Sequence, residues 1–122
     1  MRVAREKSRV CVLMDQSAQQ NFCRPAVDVL FRSAGEVYGG AILGVVLTGM
    51  GQDGLRGVEV LKAQGARVLV QDEATSVVWG MPGAVSNAGL ADLVLPLDQV
   101  VPEILKITRS YKEDPVGQSV AN

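Results

Sequence analysis

The residues best suited to chemistry lie together at positions 48–54, which read Thr-Gly-Met-Gly-Gln-Asp-Gly. An apolar run at 41–47 precedes this segment and a helical pattern follows it, so the sequence predicts a strand, a tight glycine loop and a helix. The run shows no polar alternation, which predicts a strand buried on both faces of a parallel sheet. Functional groups gather at the carboxyl ends of such strands, so Asp53 is the first candidate for a functional side chain.

The same glycines also fit a dinucleotide-binding fingerprint, because Gly49, Gly51 and Gly54 spell G-x-G-x-x-G between a strand and a helix. Asp53 argues against that interpretation, since its carboxylate would share the helix N-terminus with a pyrophosphate. Two like unit charges about 4 Å apart cost roughly 4 kcal/mol at an effective dielectric of about 20. A helix dipole returns only about 0.3 to 1 kcal/mol, so a dinucleotide-binding module is the weaker hypothesis.

Two roles are open for Asp53. Aspartate is a preferred helix N-cap, and its side chain would accept the backbone N–H of Leu55 or Arg56 in the helix that follows. A carboxylate at the catalytic edge of a sheet can also orient and stabilise a cationic partner such as an imidazolium. The two roles are compatible, because a carboxylate has two oxygens.

Composition limits the class of protein. The chain has 122 residues, 12 Lys plus Arg and 13 Asp plus Glu, which gives a net charge of −1. No basic cluster is interleaved with aromatic residues, so neither nucleic acid nor an anionic membrane is an expected partner. No apolar run approaches the roughly 20 residues of a membrane span, and the N-terminus lacks the apolar core of a signal peptide. These features predict one cytoplasmic domain.

The sequence offers few groups for metal binding or nucleophilic catalysis. It has no histidine and only two cysteines, Cys11 and Cys23, without C-x-x-C spacing. A structural zinc site is excluded on this ground, and neither a metal nor a cofactor is expected. Both cysteines are predicted to be small, buried or half-buried apolar side chains, because neither has a histidine to activate it.

The remaining patterns predict alternating strands and helices. An N-terminal β-hairpin is expected at 2–5 and 9–14, a loop at 15–21, and further strands at 66–70 and 90–97. Helices are expected from Pro25 to Gly39, from 55 to 65, from Pro82 to Gly89, and from an Asp98 N-cap to about 111.

Helical spacing predicts the buried faces of the first and last helices. In the first helix, Asp28 and Arg32 lie four residues apart on the face opposite the apolar one. Its buried residues are expected to be Val27, Leu30, Phe31, Ala34, Val37 and Tyr38. Those of the last helix are expected to be Val101, Ile104, Leu105 and Thr108.

The alternation of elements predicts an α/β fold with three layers, in which helices cover both faces of a mostly parallel sheet. The strand order is not predicted. The first residue already lies inside a predicted strand, so residues 1–111 are expected to be a partial domain, the carboxyl-terminal part of something longer. Residues 112–122 are expected to form a polar tail. A partial covered sheet leaves apolar edges open, which favours a homo-oligomer.

Three segments in one order resemble the catalytic domain of the chemotaxis protein-glutamate methylesterases of the CheB type. They are R-P-A-V-D-V-L-F at 24–31, L-T-G-M-G-Q-D-G at 47–54 and V-V-W-G-M-P at 77–82. The resemblance runs from about Val3 to Thr108 and covers only the carboxyl-terminal part of that domain. It implies a hydrolase in chemotaxis signal transduction, which demethylates glutamyl methyl esters on the cytoplasmic domain of chemoreceptors, deamidates certain receptor glutamines and carries a receiver domain upstream.

The family uses a Ser, His, Asp triad, and the resemblance implies that Asp53 is its aspartate, which holds the histidine in the productive tautomer. Met50 and Gly51 of the same loop are expected to line the active site. The family's serine and histidine lie earlier in the domain, in segments that this chain does not contain. Loss of either costs on the order of a million-fold in rate in subtilisin, so the chain alone is predicted to be inactive. A non-catalytic interaction domain that has kept the fold is a further alternative.

Overall fold

The computed structural model describes residues 1–14, 27–51 and 53–113, with side chains described as far as residue 110. Within these ranges a hairpin and a helix are followed by three parallel strands that alternate with helices. The elements are β1 (Arg2–Glu6), β2 (Arg9–Leu13), α1 (Val27–Tyr38), β3 (Leu43–Val46), α2 (Leu55–Ala63), β4 (Arg67–Gln71), α3 (Gly80–Asn87), β5 (Leu93–Leu95) and α4 (Leu97–Glu113). The predicted α/β class is confirmed.

The N-terminal hairpin is confirmed, with β1 and β2 antiparallel and Arg2 opposite Leu13. Lys7 in its turn has a φ of 55°, a left-handed value typical of two-residue hairpin turns. The hairpin packs against α1, where the backbone N–H of Val3 donates to Oγ of Ser33 over 2.7 Å.

Part of the predicted N-terminal region cannot be compared. The loop expected at 15–21, Cys23 and the helix start expected at Pro25 lie outside the described residues. Cys11 is half-buried, which agrees with its prediction as a half-buried apolar side chain.

The three parallel strands form a sheet in the order β3, β4, β5. Leu69 of the central strand β4 pairs with Leu93 of β5. Val68, Leu69 and Val70 are all 0% exposed. Successive side chains of a strand point to opposite faces, so both faces of β4 are covered, as expected for a parallel sheet flanked by helices.

The strand predicted at 41–47 is shorter in the structure and is not buried throughout. β3 pairs with β4 alone among the described strands, and Leu47, just after its carboxyl end, is 41% exposed. Burial on both faces therefore holds for residues 68–71 of β4, whereas it is wrong for the predicted 41–47, in which Leu43 and Val45 are only half-buried and Leu47 is exposed. β5 likewise fills only three residues of the predicted 90–97. It ends at Leu95 because the next residue, Pro96, has no N–H for a further ladder bond.

The core lies between the sheet and α2. Val58 and Leu61 of α2 are 0% exposed, and Val58 clusters with Val68 and Val70 of β4. α1 packs in turn against α2. The two helices approach closely at Gly57, where an added Cβ would lie 2.6 Å from Cβ of Phe31.

The predicted buried faces of two helices need correction. In α1, Asp28 is only 2% exposed, whereas Tyr38 is 47% exposed. In α4, Val100 is buried, whereas Val101 is 62% and Leu105 is 45% exposed. The sequence did not separate these faces, because apolar residues at helical spacing occur on both sides of α4.

Helix starts also differ from the prediction. α4 begins at Leu97, so Asp98 lies in its first turn and is not its N-cap. α3 begins at Gly80, two residues before the predicted Pro82. A proline without an N–H is compatible with any position in a first turn, so it did not fix the start of α3.

Candidate active site

The candidate site is the loop between β3 and α2, at the carboxyl end of β3. Gly51 and Gly54 have φ angles of 84° and 104°, left-handed values that glycine adopts at little cost. They reverse the chain tightly before α2 begins at Leu55. Asp53 is half-buried in this turn.

Asp53 caps a helix, but not the one predicted. Its Oδ2 accepts the backbone N–H of Val27 over 2.5 Å, and its Oδ1 accepts the N–H of Asp28 over 3.1 Å. Both donors are in the first described turn of α1, and the N-cap of α2 is Gly54. The expected cap on Leu55 or Arg56 is therefore wrong, because the glycine turn directs the Asp53 side chain toward α1.

Asp28, on α1, in turn caps the N-terminus of α2. Its Oδ1 accepts the N–H of Gly54 over 2.9 Å and the N–H of Gly57 over 2.8 Å. These amides belong to the start of α2. Asp28 thus has a buried partner on a neighbouring helix, which explains why it does not lie on an exposed face.

The two aspartates therefore cap each other's helices: Asp53 caps α1, which carries Asp28, and Asp28 caps α2, which follows Asp53. We call this arrangement the capping exchange. Asp53, from the turn before α2, binds the N-terminus of α1, and Asp28, from α1, binds the N-terminus of α2. A cap is worth about 1 kcal/mol, and a negative charge at a helix N-terminus about 0.3 to 1 kcal/mol. The exchange ties the α2 end of the glycine turn to α1.

The capping exchange also bears on the dinucleotide-binding hypothesis. The amides of Gly54 and Gly57, which a pyrophosphate would bind at the N-terminus of α2, already donate to a carboxylate. A phosphate at this position would meet an anion, as the sequence predicted, but a different one from the predicted Asp53. The carboxylate bonded to the α2 amides is that of Asp28, whereas the Asp53 carboxylate bonds to α1.

A second loop, between β4 and α3, is bonded to the first. Oγ1 of Thr48 donates to the carbonyl oxygen of Val78 and accepts its backbone N–H, each over 2.8 Å. The N–H of Met81 donates to the carbonyl oxygen of Gly49 over 2.9 Å. Gly80 allows this contact, since a Cβ there would lie 2.9 Å from the Gly49 oxygen and 3.0 Å from the Gly51 nitrogen. The motifs at 47–54 and 77–82 therefore form one structural unit.

A buried glutamine at the end of β4 forms hydrogen bonds to both loops. Gln71, the last residue of β4, is 1% exposed. Its Oε1 accepts the N–H of Thr48 and its Nε2 donates to the carbonyl oxygen of Thr75, each over 2.8 Å. Gln71, Thr48 and Asp28 were not predicted as site residues. For Gln71 the available signal was its position as a polar residue at the carboxyl end of a mostly apolar strand.

Apolar side chains are exposed around the turn. Met50 is 78% exposed, and Gly51 beside it is also exposed. On the adjoining loop Val77 is 91% and Val78 is 39% exposed. Both predicted lining residues thus lie on the open side of the loop that carries Asp53.

A separate carboxylate lies at the opposite, amino-terminal edge of the sheet. Asp92 forms an ion pair with Nζ of Lys62 at 2.7 Å and accepts the N–H of Val68 over 2.6 Å. Desolvation raises the pKa of Asp92, but the hydrogen bonds from Lys62 and Val68 and the positive charge of Lys62 and Arg67 outweigh it and lower the pKa below its ordinary 3.8. Asp92 therefore fixes the start of β4 and lies away from the candidate site.

A groove of about 420 Å³, lined by Ile42, Arg67 and Ile107 among others, lies at the amino ends of β3 and β4. No group of three metal-ligating side chains occurs in the part of the chain that the structure describes. No helix in that part is long and apolar enough to span a membrane.

Comparison with known proteins identifies relatives. Residues 1–104 match the family model of the CheB methylesterase. The chain is 57% identical over 104 residues to a protein-glutamate methylesterase/protein-glutamine glutaminase of Trichodesmium erythraeum, covering 85% of this chain and 30% of that protein. It is 59% identical over 97 residues to a protein-glutamate methylesterase/protein-glutamine glutaminase 2 of Caulobacter vibrioides, covering 80% and 28%.

A solved structure agrees with these matches. The crystal structure of the Thermotoga maritima CheB methylesterase catalytic domain is 36% identical with a TM-score of 0.83, covering 87% of this chain and 56% of that domain. The chain thus spans 30% of the first curated relative and little more than half of the solved domain. The resemblance carried by the three motifs is confirmed, and the chain belongs to the CheB methylesterase family.

Proposed function

We propose that this chain is the carboxyl-terminal part of a protein-glutamate methylesterase/protein-glutamine glutaminase, and that Asp53 is the aspartate of its catalytic triad. The single observation that carries the proposal is the anchored position of Asp53, in a chain of this family, on a glycine turn at the carboxyl edge of a parallel sheet. The complete enzyme would act in the cytoplasm, on glutamyl methyl esters and glutamines of a chemoreceptor's cytoplasmic domain.

The reaction needs a serine and a histidine from a segment that this chain does not contain. The serine would attack the glutamyl carbonyl, the histidine would take its proton, and methanol or ammonia would leave. Water would then hydrolyse the acyl-enzyme and release the glutamate side chain. Asp53 would accept the N–H of the histidine, hold the productive tautomer and stabilise the imidazolium.

Anchoring of the carboxylate suits this role. Each oxygen of Asp53 accepts one amide of α1, which restricts rotation of the side chain. Carboxylate oxygens together offer about four lone-pair sites, so amide bonds of this kind are compatible with an additional bond to an imidazole.

The edge of β3 that has no partner among the described strands suggests where the missing groups would approach. Neighbouring strands lie about 4.8 Å apart, so a parallel strand paired with this edge would end beside the loop that carries Asp53. A nucleophile at the carboxyl end of that strand would face Met50 and Gly51, the lining residues in the proposal. Ligands bind at such edges of open α/β sheets.

The test is a chimera in which this chain replaces the matching segment of the Trichodesmium erythraeum relative. The proposal predicts methanol release from methylated receptor, whereas the isolated chain should release none above background. Asp53→Asn should abolish release by the chimera, while Asp92→Asn should spare it, because Asp92 lies at the other edge of the sheet. A folded chimera without activity, or an active isolated chain that keeps its activity on repurification, would contradict the proposal.

A further inference from the structure

Asp28 combines burial, charge and a direct link to the proposed catalytic residue. It is 2% exposed, its backbone N–H donates to Asp53, and its carboxylate accepts both Gly54 and Gly57. A buried carboxylate is costly unless it is well hydrogen-bonded. The hydrogen bonds that it accepts therefore hold the backbone that carries Asp53.

We propose that Asp28 is a positioning residue for the catalytic carboxylate, so that the reach of Asp53 toward the histidine depends on the Asp28 side chain. The inference rests on the proposed triad role of Asp53. Asp28 is not a member of the triad, and the sequence prediction, which placed it on the helix face opposite the apolar one, gave it no role in positioning.

The turn requires such support because it is intrinsically flexible. Gly51 and Gly54, on either side of Asp53, have positive φ angles, and glycine loses more conformational freedom on folding than other residues. Catalytic groups must be held within about 0.5 Å of their productive position. The bonds from Gly54 and Gly57 to Asp28 fix the turn at its α2 end.

α1 and α2 pack closely around the hydrogen bonds from Gly54 and Gly57 to Asp28. A Cβ at Gly54 would lie 3.2 Å from Cγ1 of Val27, and a Cβ at Gly57 would lie 3.2 Å from Cα of Asp28. Val27 is also a donor to Asp53. A shift of the Asp28 acceptor would therefore move the turn, and with it the carboxylate that α1 holds.

The oxygen atom through which Asp28 binds α2 suggests two matched variants of this residue. Oδ1 of Asp28 accepts the amides of both Gly54 and Gly57, and in Asp28→Asn the carbonyl oxygen can take its place and keep these two bonds. In Asp28→Ser the acceptor oxygen is one bond closer to the α1 backbone, which displaces or breaks them. Ser33→Ala is the control, because Ser33 is buried on the same helix but bonds to the hairpin through Val3.

The kinetic test uses the active chimera, at a temperature where all variants are folded. A misplacement of about 1 Å can cost about 100-fold in rate, so Asp28→Ser should lower kcat about 10- to 100-fold. KM should change by less than about twofold, the pattern of an interaction made in the transition state. Asp28→Asn should recover most of the lost kcat, and Ser33→Ala should leave kcat unchanged.

A second measurement needs no activity. Hydrogen exchange of backbone amides in this chain should show that Asp28→Ser weakens protection not only at Gly54 and Gly57 but also at Val27, whose amide binds Asp53. A purely local cap would leave Val27 unchanged, as Ser33→Ala should.

The outcomes separate this inference from the proposed function. If Asp28→Ser keeps wild-type kcat and Val27 keeps its protection while Asp53→Asn is inactive, Asp28 only stabilises the fold and the inference is wrong. If Asp53→Asn is active, the triad assignment itself fails. A loss of kcat in Asp28→Ser that Asp28→Asn reverses supports the inference.

Discussion

Gly57→Ala tests whether α1 and α2 must approach as closely as the capping exchange requires. The added Cβ would lie 2.6 Å from Cβ of Phe31, 3.2 Å from Cα of Asp28 and 3.3 Å from the carbonyl oxygen of Asp28. None of these atoms can move by side-chain rotation alone. The helices must separate, which also lengthens the bonds from Asp28 to the α2 amides.

The expected magnitude follows from opposing terms. Alanine is favoured over glycine inside a helix by about 1 kcal/mol. Overpacking costs about 1 to 3 kcal/mol, and a weakened cap about 1 kcal/mol more. Gly57→Ala should therefore lower the free energy of unfolding by about 1 to 3 kcal/mol, within the range typical of overpacked cores.

Gly35→Ala is the matched control in the same helix pair. Its Cβ would meet Oε1 of Gln64 at 2.6 Å, but Gln64 is exposed and its side chain can rotate away. The other close atom, Cδ2 of buried Leu61 at 3.3 Å, needs to move by only a few tenths of an ångström. This variant should be neutral or more stable by up to about 1 kcal/mol. Urea unfolding measures both, with m values of about 1 to 3 kcal/mol/M. A Gly57→Ala protein as stable as wild type, or an equal loss in Gly35→Ala, would refute the packing argument.

Three further predictions concern the rest of the chain. Because the pKa of Asp92 is lowered from its ordinary 3.8 on folding, the bonds to Lys62 and Val68 stabilise the protein above about pH 4, and this stabilisation is lost as the pH falls through the lowered pKa. Asp92→Asn should thus flatten the fall of Tm below pH 4, and an unchanged acid limb would count against it. NAD and NADP should not bind, since Asp28 holds the α2 amides; calorimetry showing a Kd below about 100 μM, roughly 5.5 kcal/mol of affinity, would revive that hypothesis. The edge of β3, without a neighbour among the described strands, should drive concentration-dependent self-association. A monomer mass that stays constant with concentration in light scattering would contradict this prediction.

Local patterns predicted the fold well where one element determines them. The hairpin, the parallel strands and the turn at Gly49–Gly54 follow from apolar runs and glycines read within a few residues. The ends of β3 and β5 were less well predicted, because strand length depends on the neighbours with which a strand pairs. The buried faces of α1 and α4 were predicted only in part for a related reason, since spacing along a helix does not show which neighbouring element the helix packs against.

The sequence predicted the glycine turn that carries Asp53, but it did not predict the side-chain hydrogen bonds around that turn. Asp53 was placed correctly on the glycine turn, yet its helix-capping partner proved to be α1 and not α2. Asp28 and Gln71 were missed, because each acts on residues more than 20 positions away in the chain. Such contacts depend on the tertiary packing of separate elements, which spacing along one helix or strand does not encode.

The turnover of Asp53→Asn in the active chimera tests the central claim most directly. An asparagine keeps the size of Asp53 but presents an amide that can favour the wrong histidine tautomer, and the loss of kcat should approach about ten thousand-fold. Unfolding of the same variant should show a loss of only about 0.5 to 2 kcal/mol, since one of the two α1 amides loses its acceptor. A variant that keeps more than about a tenth of wild-type kcat, a barrier change below about 1.4 kcal/mol, would show that Asp53 is a helix cap and not the catalytic carboxylate.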